Sequence, residues 1–86
     1  MQLSSNKIRY SIVLHEKDNV ATILDSEEEK KLLEDGTLVE ENIPIGHKVA
    51  IRDISKGQSV IKYGVKIGIA LTDISRGKHV HIHNCT

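Results

Sequence analysis

The chain has 86 residues, twelve basic and twelve acidic, so its formal charge is zero, and it holds no Phe, no Trp, two Tyr and one Cys. Neutrality and the lack of stacking aromatics argue against a dedicated nucleic-acid or membrane-surface binder, and an aliphatic core of Ile and Val favours strands. So small a domain has little surface to bury and is expected to rely on a partner, a metal or a disulfide; the lone Cys85 cannot close an internal disulfide, which fits a reducing compartment, by default the cytoplasm.

Residues 1–7 read as a flexible N-terminus with no apolar signal-peptide run behind them, and no segment approaches the ~20 apolar residues of a membrane helix. Ile8 to Leu14 reads as a first strand, followed by the polar turn His15-Glu16-Lys17-Asp18-Asn19 and the apolar segment Val20 to Leu24. Asp18 and Asn19 are expected to build that turn through side-chain to backbone hydrogen bonds. The next stretch is ambiguous. Ser26 and Glu29 can form a capping box on a short helix ended by Gly36, whereas Asp35-Gly36 can equally be a hairpin turn joining Lys31–Leu33 to Thr37–Val39. The charged run Ser26 to Lys31 reads as solvated surface.

An internal repeat occupies the second half. Asp53-Ile54-Ser55-Lys56-Gly57-Gln58-Ser59-Val60 returns as Asp73-Ile74-Ser75-Arg76-Gly77-Lys78-His79-Val80, and Ile43-Pro44-Ile45-Gly46-His47-Lys48-Val49 is a looser third copy. Each reads as a strand end, a tight Gly turn and a new strand. With Tyr63 to Gly68 as a hairpin connection, the pattern predicts short strands folded repeatedly over one another in a mainly β domain.

The chain closes on His79-Val80-His81-Ile82-His83-Asn84. A strand would project His79, His81 and His83 onto one face and Val80 and Ile82 onto the other, against the core. Imidazoles so spaced make a metal-binding or proton-transfer surface, although three histidines on an edge strand can also be solvated polar residues. His15 and His47 lie in turn-rich stretches and are candidates to join them. Lys48, beside Gly46, and Lys62 could each bind a substrate carboxylate as a point charge or simply be surface lysines. Tyr63 reads as structural and Cys85 as inert.

His15-Glu16-Lys17-Asp18-Asn19-Val20-Ala21-Thr22, Ile43 to Ile54, Gly57, Val60 to Gly64, Ile67-Gly68, Asp73 to Gly77 and His79 to Asn84 together resemble the SAF domain of the altronate and galactarate dehydratase family. That domain also occurs as the small subunit of sulfolactate sulfo-lyase. The match spans 15–84 within a single domain over 1–86 and departs from the family pattern at 25–42. The resemblance implies a β-clip of bent strands. It implies the small subunit of a hydro-lyase that eliminates water from a hydroxy acid, working with a separately encoded large subunit and inactive alone. It further implies His81, His83 and His15 as catalytic groups, His47, Lys48 and Lys62 as substrate-binding groups, and His79, His81 and His83 as ligands of divalent iron or another divalent metal. Neither nucleic acid nor membrane is an expected partner, and a homo-oligomer is left open.

Other readings compete. A sulfo-lyase small subunit would expel sulfite instead of hydroxide. A non-catalytic SAF module would only bind a small acid or scaffold a partner. A metal-dependent cupin barrel also uses His-x-His on a strand, but needs a longer chain and a further downstream histidine.

Overall fold

The computed structural model describes residues 7–86, so the expectation of a flexible N-terminus lies outside the described residues save for Lys7, which sits in a turn. Six short strands follow in chain order: β1 (Ser11–Ile12), β2 (Val20–Ile23), β3 (Lys48–Ala50), β4 (Ser59–Lys62), β5 (Val65–Ile69) and β6 (His79–Val80). All pairings between them are antiparallel, in one sheet ordered β1-β2-β3-β6 and a separate β4-β5 ribbon. The domain is thus mainly β, as its composition predicts, and fits a β-clip. No helix occurs among the described residues, and so none long and apolar enough to cross a membrane.

Register explains the core. Ala21 lies opposite Val49, and Val49 opposite His79, while Val20 pairs with Ala50 and Lys48 with Val80. Since neighbouring residues on a strand point to opposite faces, the sheet buries both sides. One face packs Ala21, Ile23 and Val49 against Leu33, Val39 and Ile43; the other packs Val20, Ala50 and Val80 against Ile54, Val60, Ala70 and Ile74. Fully burying an aliphatic side chain is worth about 1.5–3 kcal/mol, so β2, buried at all four positions, anchors the sheet.

The repeat becomes one hydrogen-bonded device used three times. The Gly57 amide donates to the Ala70 carbonyl, the Ala70 amide to the Gln58 carbonyl, and the Gln58 amide to the Ser55 carbonyl. Gly77, Ala50, Lys78 and Ser75 repeat that pattern, and so do Gly46, Ile23, His47 and Pro44. The first two copies also clasp each other. Ile54 and Ile74 exchange amide-to-carbonyl bonds at 2.8 and 2.7 Å. The Asp73 carboxylate accepts from the Lys56 amide at 2.8 Å, and Asp53 accepts from the Arg76 amide at 2.9 Å. Gly77, at φ 94°, sits where the left-handed backbone suits glycine, and a Cβ there would also collide with the Leu38 carbonyl oxygen.

Three local expectations are corrected, and the open choice over Ser26 to Val39 falls to the hairpin. The helix between Ser26 and Gly36 does not form. Asp35-Gly36 is instead a turn, with Leu33 donating to the Thr37 carbonyl and Leu32 bridging to Leu38. This arrangement buries Leu33 and Val39 from both limbs of the turn, whereas a helix over the first limb would leave Val39 without that partner. The first strand shrinks to Ser11–Ile12 because its flanks are held by carboxylates. Buried Arg9 donates from Nε to Asp25 Oδ1 at 2.8 Å and the Tyr10 amide donates to Asp25 Oδ2 at 2.9 Å, while the Leu14 and His15 amides both donate to Asp18 Oδ2.

The connection in Tyr63 to Gly68 is only the two residues Tyr63 and Gly64, both at positive φ (56° and 76°). That pairing matches a tight hairpin turn and leaves Val65 onward free to form β5. Lastly, the histidine strand stops at Val80. His81 to Asn84 form a turn, with the Asn84 and Cys85 amides donating to the His81 carbonyl, so the expected inward Ile82 is instead 81 % exposed.

Candidate functional site

Loss of the strand at Val80 reshapes the histidine surface. His79 is fixed by β6, paired to Val49, with its amide donating to Glu41 Oε1 at 2.6 Å. His81 begins the turn and His83 ends up exposed on it. Asn84 is buried and holds this corner: its Oδ1 accepts from the His81 amide at 3.0 Å and its Nδ2 donates to the His79 carbonyl at 2.8 Å. Neither Asn84 nor Glu41 was singled out from the sequence; Asn84 ends the histidine run and was the more accessible of the two.

His47 arrives from β3's leading turn, the third copy of the repeated device, and completes the cluster. Its Nδ1 lies 2.9 Å from His79 Nε2, and its ring stacks on His81 with centroids 4.2 Å apart. One nitrogen from each of His47, His79 and His81 lies within 4.8 Å of the others, a set able to hold a metal ion. The three ligands expected on one strand face were His79, His81 and His83; the turn removes His83 from that convergent set and leaves it beside His79, ring centroids 5.3 Å apart. His47, expected as a substrate group, takes its place.

Electrostatics disfavour the charged forms of His79 and His81. Burial, then His47, His83 and His81, push the His79 pKa below the ordinary histidine value, with Glu41 opposing. Desolvation, then His47, Lys48 and His83, lower that of His81. Crowded imidazoles cannot all carry protons, and a neutral imidazole has the lone pair that a metal or a proton needs. Lys48 is half-buried and lines a small concavity with His81, Ile67, Ile82, Cys85 and Thr86.

His15 and Lys62 belong to a different corner. The His15 ring lies so close to Gly64 that a Cβ there would meet it, and its Nδ1 accepts from the Lys17 amide at 3.0 Å. Lys62 places its ammonium 5.0 Å from the Tyr63 ring centre. Buried Asp18 ties the two sides together, accepting from the Gly64 amide at 2.8 Å, and Asn19 reaches across to β4, donating to the Ser59 carbonyl and accepting from the Ile61 amide. Asp18 does build the local turn, as expected, whereas both Asn19 side-chain bonds are long-range. His15 is not among the residues of the convergent set.

Comparison with known proteins agrees with this architecture. Residues 9–86 match the family model of the altronate/galactarate dehydratase SAF domain. The chain is 47 % identical over 76 residues to altronate dehydratase of Escherichia coli (strain K12), covering 85 % of this chain and 15 % of that enzyme. It is 41 % identical over 76 residues to altronate dehydratase of Bacillus subtilis (strain 168), again 15 % of that protein. With the (2R)-sulfolactate sulfo-lyase subunit alpha of Chromohalobacter salexigens it shares 54 % identity over 46 residues, 54 % of this chain and 49 % of that subunit. The chain therefore spans a minor part of the dehydratases and about half of the sulfo-lyase subunit. By its sequence over nearly its whole described length, this chain belongs to the altronate/galactarate dehydratase SAF domain family.

Proposed function

We propose that this chain is the small subunit of a hydro-lyase of the altronate/galactarate type, completing with a large, separately encoded chain an active site that removes water from a sugar acid. The convergence of His47, His79 and His81 beside Lys48 carries this reading. Elimination takes a proton from the carbon next to a carboxylate and expels hydroxide from the adjacent carbon. It needs a base, neutralisation of the carboxylate's charge and help for the leaving group. Exposed His83, close by on the same turn, is suited to accept or return the proton, a role His81 could take only while it holds no metal; Lys48 is suited to bind the carboxylate.

The three converging imidazoles fit a divalent first-row metal such as iron, for which nitrogen donors are suitable. His47, His79 and His81 would hold it. Such an ion would supply Lewis acidity to the departing oxygen. The lowered pKa of His79 and of His81 favours the fit, because a metal binds the unprotonated imidazole. His15 and Lys62 would act from the Gly64 corner, on parts of the substrate away from the histidines. A metabolic enzyme of this kind would work in the cytoplasm.

A sulfo-lyase role is favoured by one observation: identity to the sulfo-lyase subunit alpha is 54 % over 46 residues, against 47 % over 76 residues to altronate dehydratase. The deciding experiment is co-expression with a large dehydratase-type chain from the same genome, assayed with altronate, galactarate and (2R)-sulfolactate. The complex is expected to consume one of these acids, and the 86-residue chain alone none. Turnover by the small chain alone, or a complex inert to all three acids with iron supplied, would refute the reading and favour a non-catalytic module.

A further inference from the structure

β5 differs from the other strands in leaving its large side chains exposed, although its end is held by the C-terminal residues, the Thr86 amide donating to the Ile69 carbonyl at 3.0 Å. Val65 is 60 % exposed, Ile67 42 %, and Ile69 borderline, and Lys66 is the only charged residue in the strand. It forms one edge of the two-stranded ribbon, and its pairing with β4 is irregular at Ile67, which has no partner between Lys66 and Gly68. An apolar edge strand is a surface that folded proteins ordinarily cover or charge.

This strand also borders the candidate site. Ile67 and the outward Ile82 line the same concavity as Lys48 and His81. The turn at His81 that removes Ile82 from the core brings it to this rim. The result is a half-site, with an imidazole and a cation on one side and an apolar, exposed rim on the other. Closing such a site from water strengthens its electrostatics.

We propose that β5 together with Ile82 is the surface on which the large dehydratase-type chain docks, so that the same contact that joins the two chains closes the wall over His81 and Lys48. Two observations favour that occupant over a second copy of this chain. The dehydratases matched here are mostly other sequence, this domain accounting for 15 % of their length, so a larger body accompanies the fold in those proteins. The apolar rim is also continuous with the histidine concavity, which a catalytic partner would need to reach and a second copy would not. The inference rests on the proposed function for the identity of the partner, but not for the location of the contact.

The test uses the full chain and the large dehydratase-type chain encoded in the same genome, with hydrogen exchange, co-elution and turnover measured separately. Amides of residues 65–69 should exchange more slowly in the complex. Ile67→Lys and Val65→Lys should each weaken association by about 10-fold or more, the loss expected from a buried apolar anchor, while leaving the melting of the isolated chain unchanged. Two variants guard against one failing to fold. A complex that forms with β5 exchanging freely, and that tolerates both lysines, overturns the docking surface even if it is catalytically active. Concentration-dependent protection of β5 in the isolated chain would assign the surface to self-association and overturn it too, as would failure of the two chains to associate. Protected β5 in a complex without lyase activity would support the docking surface and sink the proposed function alone.

Discussion

The side-chain amide of Asn84 donates to the carbonyl of His79 across five residues, at 2.8 Å, and thereby bends the chain out of its strand. With its other end on the His81 amide, one buried polar residue sets where two candidate metal ligands stand. Asn84→Ala should leave buried backbone groups unpaired, at about 1–3 kcal/mol, and weaken cobalt or iron binding by about 10–100-fold, as loss of an outer-shell partner does. Calorimetry of metal binding alongside thermal melting checks both; unchanged metal affinity would remove Asn84 from the site.

His47→Ala and His81→Ala should each lower metal affinity by more than that, since each removes a member of the converging set. His83→Ala, outside the set, should change it little. Visible absorption of bound cobalt in the four single histidine variants, with His79→Ala as the fourth, would order them. A site built from His79, His81 and His83 would reverse the places of His47 and His83.

Val80 and Ile82 were expected to behave alike and should not. Val80 is fully buried in the cluster it shares with Val20, Ala50 and Ile74, so Val80→Ala should destabilise, whereas Ile82→Ala should stay within ~0.5 kcal/mol, as exposed substitutions do. Urea midpoints of the isolated chain measure this directly.

Acid should weaken the fold in two steps. His79 and His81 titrate below their ordinary value, so the unfolded chain takes up protons first as pH falls from about 6.5; stability present above that pH declines towards the lower folded pKa. Asp18 also has a lowered pKa. Burial pulls it upward, but the amides of Gly64, Tyr63, Leu14 and His15 outweigh that. Its contribution, present above the usual carboxylate pKa of about 3.9, is lost as pH falls through the lower folded value. Melting temperatures from pH 7.5 to 3 should show both declines. His79→Gln should flatten the upper one, and if it does not, the cluster is not desolvated as described.

The paired turns offer a further check. Asp53→Ala and Asp73→Ala each delete one side-chain hydrogen bond to the other turn's amide, so each should cost about 1 kcal/mol. Because Ile54 and Ile74 couple the two turns, the double variant should deviate from the sum of the singles. Strict additivity in a double-mutant cycle would mean that the turns act independently.

Much of this was legible beforehand because it depends on local rules. The lack of Phe and Trp, the β-branched residues and the Ile-x-x-Gly-x-x-Val repeat pointed to short strands around glycine turns, and the third, looser copy proved to have the same backbone bonds as the others. The region 25–42 was not legible, since Asp35-Gly36 and Ser26/Glu29 are both good local signals and only burial of Leu33 with Val39 decides between them. The site was half legible. Alternation placed His79 and His81 near each other, but it assumed a strand that Asn84 ends; His47 and His15 were equal candidates to join them, and only the β3–β6 pairing separates the two. Glu41 lay in the stretch where the pattern was weakest.

The threefold turn divides labour within the chain. Its three shared bonds are made by backbone groups, so the frame tolerates different residues after each glycine: Gln58 in one copy, where Oε1 accepts from the Ser55 amide, Lys78 in another, paired with Glu40, and His47 in the third. A loop that needs no particular side chain there works like an interchangeable socket. An amide, an ammonium and an imidazole are displayed on the same backbone frame at three places around the sheet. Chemistry in such a domain can change by exchanging what the sockets hold, with the glycines and the strands beneath left as they are.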